Sequence, residues 1–499
     1  MKTVLSANEM KKCDYNTINH YKISSAVLME RASLSVFSML SEHIDKYSNI
    51  LVFVGMGNNG GDGVCLARIL HNYGFNVSVL LCGDEDKFSN DLKEQLVISR
   101  NYGINEVDIK CVNEYDVLID AIFGIGLSRD ITGTFAKYVT AFNKANGFKM
   151  AIDIPSGINT DNGKVMGIAC KVNATVTFNY RKIGHLIYPG REYCGTTYVC
   201  DIGINDNSFL DDIKPSVFCI DDEDVMCLNN RNEDSNKGDY GKVLIIAGSN
   251  GMSGAAYLCA KAAIRTGAGL VKVYTTSDNR EIIQTSLPEA IVSCYDEYDE
   301  NALSQMLEWS SVCAMGPGLG QSDVSGKIVE YVINRYDKPL VVDADAINII
   351  SNNTSILENH TCPIIITPHL GEMRRLTGDE IEDIKKDMVS KALDCTNRYN
   401  VITVLKSASS VVSLPNGNSF INTTGNNGMS TAGSGDVLTG IITGIIAGGI
   451  TPSMAAPLGV FIHGLCGDEA SEKLSAHFVC ASDIIDMLSV VLKEGLNFE

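Results

Sequence analysis

From about residue 49 the chain alternates between short apolar runs and longer segments with one polar face. The runs "NILVFVG", "NVSVLL", "DVLIDAIFG" and "KMAIDIPSG" are apolar at odd and even positions alike. Both faces of such a strand must be covered, which predicts a parallel sheet packed between helices. Between the runs, 63–73 and 134–146 show helical spacing of apolar residues, and "ATVTFNY" and "TTYVCDIGI" add strands near 174 and 196. The rhythm lapses over 205–235, rich in Asp and Asn, and restarts at "KVLIIAGSNG". A linker is expected there, with its boundary near 215–220, dividing the chain into domains 1–215 and 216–499. No internal repeat relates the halves, so the expected fold class is α/β, two domains of one class and different sequence.

Composition narrows the function classes. The 499 residues are 45% hydrophobic and 20% charged, with a formal net charge of −20. That balance disfavours a nucleic-acid or anionic-membrane partner, both of which attract clustered Lys and Arg. An anionic small ligand stays open, because backbone N–H groups at helix starts hold anions without side-chain charge. Sixteen cysteines occur with no C-x-x-C pair, which predicts reduced thiols and a cytoplasmic protein. The N-terminus lacks the apolar core of a signal peptide, and the apolar stretch 437–450 is too short to span a bilayer. Within it Gly440, Gly444 and Gly448 recur every fourth residue. This spacing suits a membrane helix pair or a buried helix in close packing, and the second is expected. A protein of this kind is also expected to form a symmetric homo-oligomer.

Candidate chemistry begins in "FVGMGNNGGDGVCLARIL" (53–70), a strand, turn and helix with a formal G-x-G-x-x-G at Gly55, Gly57 and Gly60. A dinucleotide dehydrogenase is one reading of that motif. Against it, Asp62 is expected at the helix start, where it would repel a pyrophosphate, and Asn58–Asn59 offer amides to a neutral polyfunctional group. Asp120, Asp153 and Ser156 end further strands, where an open α/β sheet places its ligand crevice. Carboxylates at such positions also serve as helix caps.

"GNNGGDG", "DAIFGIGLSR", "DIPSGINTDNGKVMG" and "KIGHLIYPGREYCG" resemble, in order, the NAD(P)H-hydrate epimerase domain over about 8–205. The resemblance implies a Rossmann-like three-layer α/β/α sandwich. It implies substrate contacts from Asn58, Asn59, Gly60, Gly61 and Asp62, from Gly124, Ile125, Gly126, Leu127, Ser128 and Arg129, and from Asp153, which would also carry acid–base chemistry. It further implies a potassium ion at Asn59, Asp120 and Ser156. One carboxylate among neutral oxygens suits a monovalent cation. Ile125 stands where the family often has Thr, so one hydroxyl contact is expected to be missing.

In the second half, "STAGSGDVLTG" (430–440) places Asp436 where a glycine turn opens an apolar helix. Such a turn presents N–H groups to an anion, and a carboxylate beside it suits a base acting on an attacking hydroxyl. There is no Walker loop and no protein-kinase signature. This turn, with "GSNGMSGAAYLCAKAAIRTGAGLV", "AMGPGLGQS", "DADAIN" and "TPHLGEMRRLTG", resembles the ADP-dependent NAD(P)H-hydrate dehydratase over about 225–495. A ribokinase-like α/β domain is implied. Substrate would lie against Ala255, Gly318, His369 and the catalytic Asp436. ADP would lie against Lys406, Ser407, Ala408, Ser409, Ser410 and Gly435, with Mg²⁺ assisting. The family usually has Gly at position 407, so a narrower nucleotide pocket is expected. His463 is expected to be a core histidine. The resemblance implies repair of hydrated NADH and NADPH (NADHX and NADPHX): both C6 epimers interconverted, the S epimer dehydrated with ADP giving AMP and phosphate. Two other readings stay open: a small-molecule kinase with an accessory domain, which would share Asp436 and Gly435, and a non-catalytic N-terminal binding module.

Overall fold

The computed structural model describes residues 1–210, 213–226, 228, 233–358 and 360–496. The chain divides into two compact units, Thr3–Val217 and Phe218–Glu499 together with Met1–Lys2.

The N-terminal unit holds strands β1 (Lys2–Leu5), β2 (Asn49–Val54), β3 (Asn76–Leu81), β4 (Asn105–Glu106) and β5 (Val117–Ala121). After these come β6 (Phe148–Ile152), β7 (Ala174–Phe178), β8 (Arg181–Lys182) and β9 (Thr196–Cys200). Seven of them form a parallel sheet in the order β4-β3-β2-β5-β6-β7-β9. Successive side chains of β2 enter different cores: Ile50, Val52 and Val54 pack on one face, Leu51 and Phe53 on the other. That is why the strand reads as continuously apolar. The chain builds outward from β2 to β3 and β4, then returns to place β5 on the other side. The loops after β2 and β5 therefore diverge and open a crevice between them.

Two details differ from expectation. The helix after β2 runs Asn58–Asn72, with Gly57 at its cap. Asp62 thus sits in the second turn, not at the helix start. Periodicity missed this opening because its glycines carry no apolar side chain to register. A Cβ on Gly60 would fall 2.1 Å from the Gly55 carbonyl oxygen, so the turn can press against the strand end only without one. The second difference lies in 205–235, which is not simply linker. It contains a 3-10 turn (Asp206–Ser208), strand β10 (Val217–Cys219) and a short helix (Asp222–Val225). Its Asp and Asn residues serve partly as caps. Residues 211–212, 227 and 229–232 of this stretch lie outside the described residues.

The C-terminal unit continues with β11 (Lys242–Ile246), β12 (Leu270–Thr276), β13 (Ile291–Tyr295), β14 (Val312–Met315) and β15 (Leu340–Val342). It ends with β16 (Ile364–Ile366), β17 (Ile402–Leu405), β18 (Val411–Ser413) and β19 (Ser419–Ile421). The order is β13-β12-β11-β14-β15-β16-β17-β18-β19-β10. Pairing is parallel from β13 through β17 and antiparallel through β18 and β19. The reversal of strand order falls between β11 and β14. Helix Ser434–Ala447 packs on helix Ser253–Arg265 so closely that a Cβ on Gly440 would lie 2.2 Å from the Cys259 carbonyl oxygen. The glycine spacing at 440 and 444 therefore serves helix contact. Among the described residues no helix is long and apolar enough to cross a membrane, and none of the described cysteines is in a disulfide.

Candidate functional site

In the N-terminal unit a cavity of about 820 Å³ opens at the reversal of strand order. Asn58, Asn59, Asp62, Gly124 through Arg129, and Asp153 all line it. Gly60 and Gly61 do not. They are buried behind the wall, where added Cβ atoms would meet the Gly55 carbonyl and the Met29 side chain. Asn58 donates to Asp91 at 3.1 Å, fixing one amide at the cavity mouth. Ile125 turns its side chain into apolar packing, and its carbonyl accepts from Thr160.

Asp153 follows β6 with φ of 68°, a strained conformation for a residue with a Cβ. Its carboxylate is gripped by Lys182 Nζ at 2.5 Å and Thr177 Oγ1 at 3.0 Å, while its carbonyl meets His185 Nε2 at 2.9 Å. Burial alone would raise the Asp153 carboxyl, but the Lys182 ammonium outweighs it and holds the group below the ordinary carboxylate range. Burial lowers His185 to about 3, so a neutral ring accepts the Lys182 N–H at Nδ1 and donates from Nε2. Two other carboxyls face the same cavity. Burial raises Asp62 well above its usual range, with Asp153 adding to the effect. Burial raises Asp14, on helix Ala7–Asn19, to about 7.

Asp120 and Ser156 meet below the crevice. Ser156 Oγ donates to Asp120 Oδ1 at 2.6 Å, accepts from the Phe123 N–H at 2.8 Å, and lies 3.2 Å from the Phe123 carbonyl oxygen. Beside them Asn59 contacts Gly124, and its Nδ2 is buried without a hydrogen-bond partner. Rotating that amide by a half-turn would present its oxygen there instead. One carboxylate, neutral oxygens and an amide with nothing to donate to make a donor set that fits a potassium ion. No group of three His, Cys, Asp or Glu side chains suited to a metal occurs among the described residues.

In the C-terminal unit the strand-end loops also converge at the reversal. Gly318, with φ of 57°, lies against Ala255, where an added Cβ would approach to 2.9 Å. The glycine turn requires Gly433 in the left-handed region at 89°, and it starts helix Ser434–Ala447 with Asp436 in the first turn. Lys406, directly after β17, pairs with buried Asp343 at 2.7 Å, and Thr439 donates to the other Asp343 oxygen at 2.8 Å. A Cβ on Gly435 would stand 3.3 Å from Lys406 Nζ, so the ammonium faces the glycine turn. Burial, reinforced by Asp343, raises Asp436 to about 7.

His369 caps helix Leu370–Thr377, its Nδ1 accepting from Gly371 and Glu372 and its Nε2 lying 3.3 Å from Glu372. The backbone of Lys406 bridges to it, Lys406 N–H donating to the Pro368 carbonyl at 2.8 Å. Ser407 does not project freely. Its Oγ accepts from the Ser409 N–H at 3.1 Å and donates back to the Ser409 carbonyl at 3.0 Å, while Ser410 Oγ returns to the Ser407 carbonyl. The turn Lys406–Ser410, Ala408 included, is thus closed by its own serines. His463 is buried and lowered to about 4 by burial, with Nε2 3.3 Å from Ser434 Oγ. It packs against the glycine turn from behind.

The family models match both units: residues 25–184 match the YjeF-related protein N-terminus, and 243–489 match NAD(P)H-hydrate dehydratase. Over its full length the chain is 34% identical to the bifunctional NAD(P)H-hydrate repair enzyme Nnr of Thermofilum pendens, covering 98% of this chain and 96% of the relative. The chain belongs to the bifunctional NAD(P)H-hydrate repair enzymes. The relative from Moorella thermoacetica is 35% identical over 98% of this chain and 96% of its own. The solved ADP/ATP-dependent NAD(P)H-hydrate dehydratase of Bacillus subtilis superposes with a TM-score of 0.50 at 30% identity. It covers 56% of this chain and 99% of that one. The N-terminal unit of this family member is Rossmann-like and the C-terminal unit ribokinase-like.

Reading the sequence of this repair enzyme missed Asp14, Lys182 and His185 in one site and Asp343, Glu372 and Thr439 in the other. Lys182 and His185 stand in "KIGHLIYPGREYCG", Asp343 in "DADAIN" and Glu372 in "TPHLGEMRRLTG", so the motifs were visible while their meeting points were not.

Proposed function

We propose that the chain repairs NADH and NADPH hydrated at C6 of the nicotinamide ring. The N-terminal unit interconverts the R and S epimers, and the C-terminal unit dehydrates the S epimer with ADP, giving AMP and phosphate. The observation that carries this reading is Asp436, a carboxyl poised near neutrality on a glycine turn that also faces the Lys406 ammonium. A base and an anion cradle side by side suit phosphoryl transfer to a hydroxyl.

Asp436 takes the proton of the C6 hydroxyl as its oxygen attacks the terminal phosphorus of ADP, and AMP leaves. The ring nitrogen lone pair then expels phosphate, leaving an N1=C6 iminium, and loss of a proton from C5 restores the dihydropyridine. Hydroxide is a poor leaving group and phosphate a good one, so the transfer makes elimination feasible. Gly435 leaves room for the phosphate, Lys406 balances its charge, and Lys406–Ser410 borders the nucleotide. Ala255, Gly318 and His369 position the substrate. Mg²⁺ carried on the phosphates would neutralise charge on the transferred group and take one or two nearby carboxylates.

In the N-terminal unit Asn58, Asn59, Asp62 and Gly124–Arg129 hold the dinucleotide, and Asp153 performs acid–base work at C6. Potassium held by Asn59, Asp120 and Ser156 would order the loop beneath the substrate. Described cysteines without a disulfide among them suit a reducing, cytoplasmic setting.

The test is a mixture of both NADH-hydrate epimers incubated with protein, Mg²⁺ and either ADP or ATP, following reduced-nicotinamide absorbance and free phosphate. Complete recovery with phosphate release is expected from the parent, and rapid recovery of one epimer alone from Asp153→Ala. A stable phosphorylated product without recovery would instead establish a small-molecule kinase.

A further inference from the structure

In the N-terminal cavity, the assigned acid–base group, Asp153, is already engaged. Lys182 and Thr177 both donate to its Oδ1, and Lys182 Nζ also donates to Thr177 Oγ1 at 2.7 Å and reaches the Phe178 carbonyl at 3.5 Å. This cluster keeps Asp153 as an anion, able to take a proton but not to supply one. Epimerisation at C6 through ring opening needs both events. The C6–OH proton must leave as C6=O forms, and N1 must gain a proton as the C6–N1 bond breaks toward it.

Helix Ala7–Asn19 supplies the missing group. It lays Met10, Lys11, Asp14 and Ile18 along the cavity wall, and Asp14 is the carboxyl among them. We propose that Asp14 is the proton donor that works with Asp153 in the epimerisation, resting on the function proposed above. The Asp153 carboxylate takes the hydroxyl proton, and the Asp14 carboxyl gives its proton to N1 as that atom receives the electron pair of the broken bond. Rotation about C5–C6 exposes the other face of the aldehyde. On closure N1 returns its proton to Asp14 and attacks the carbonyl carbon, and Asp153 returns its proton to the new alkoxide. No atom or electron is gained overall, and the C6 oxygen is retained.

The surroundings separate Asp14 from its neighbours. Charged groups facing the same space are Lys11, Asp62, Asp91, Arg129, Asp153 and Lys182, and Asp206 lies on the 3-10 turn that packs against the helix of Asp14. Burial holds Asp14 near 7, with Lys182 lowering it and Asp153 raising it. Burial raises Asp62 well above the ordinary range, and Asp153, Asp14 and Asp91 add to the effect, so its protonated form is favoured. Asp14, held near 7, can both carry a proton and release it near neutral pH.

The experiment follows epimerisation of one purified NADH-hydrate epimer by chromatography, without nucleotide, subtracting the spontaneous rate. If the parent fails to epimerise, the proposed function itself fails. For an active parent, kcat is expected to fall as pH rises through about 7, because the acid form of Asp14 is consumed. Asp14→Asn is expected to lower kcat by about 10²-fold or more with KM within about threefold, and to lose that alkaline limb. Asp14→Glu should recover part of kcat with the limb, and Asp62→Asn should keep the limb. A parent profile that is flat or rising through neutrality overturns the proposal, whether or not the variants fold. So does Asp14→Asn with kcat near the parent's, or with reduced kcat and an unchanged limb. Exchange of ¹⁸O from water into the C6 hydroxyl at the epimerisation rate would overturn the ring-opening step.

Discussion

Lys406 Nζ lies 2.7 Å from Asp343 Oδ1, and these residues, 63 positions apart, meet beneath the glycine turn that carries Asp436. Asp343 is almost fully buried and Lys406 largely so. Truncating one partner strands the other charge. Asp343→Ala is expected to cost about 3–5 kcal/mol in urea unfolding of the C-terminal unit. The double variant Asp343→Ala/Lys406→Met should recover most of that stability while dehydratase turnover stays low. Recovery of turnover in the double variant would show that the pair serves stability alone.

Asp436 gives the dehydratase a pH signature. Burial raises its carboxyl to about 7, with Asp343 and Asp345 adding and Lys406 opposing. In the proposed mechanism the base form is the active one, so dehydration of the S epimer should rise with pH through about 7 and then level off. Stability should move the other way. Between the ordinary value near 4 and about 7 the folded state holds a proton that the unfolded state has released, so stability falls as pH rises across that window. Asp436→Asn should remove both dependences and lower turnover by about 10²–10⁴-fold.

Ser407 stands where the resemblance led us to expect glycine, yet its hydroxyl bonds Ser409 within the turn. Ser407→Gly is therefore expected to leave KM for ADP and for ATP within about threefold and to lower stability by about 1 kcal/mol through lost hydrogen bonds. A large gain in nucleotide affinity would show that the side chain does narrow the pocket.

Gly440 permits the close contact between helices Ser434–Ala447 and Ser253–Arg265. Gly440→Ala would drive a methyl into the Cys259 carbonyl, and a loss of about 1–3 kcal/mol is expected in thermal or urea unfolding. Because this helix also carries Asp436, kcat of the dehydratase should fall with the displacement. The effect on epimerisation checks specificity: it should be unchanged.

The sequence exposed those parts of the sites that lie in continuous stretches. The loop "GNNGGDG" shows its glycines, and "STAGSGD" shows a turn opening a helix, because local backbone demands leave local marks. Lys182 left no such mark. A lysine after a strand reads as solvated until the fold buries it to 1% exposure against Asp153. Asp14 likewise reads as the polar face of an N-terminal helix. The start of helix Asn58–Asn72 was misplaced because helical periodicity is carried by apolar side chains, and its first turn has none. The sequence likewise does not reveal that the Ser407 hydroxyl finds its partners within its own turn.

By itself, then, the sequence determined the alternation of covered strands and helices, the two glycine turns and the order of the motifs. Each depends on residues within a few positions of one another, where sterics and burial of neighbouring side chains act. Tertiary structure decided which charges meet: Asp153 with Lys182, Asp343 with Lys406, Asp14 with the cavity. Those meetings set the protonation states on which the chemistry depends, because a carboxyl's affinity for its proton follows from burial and nearby charge, and both arise only when distant segments fold together.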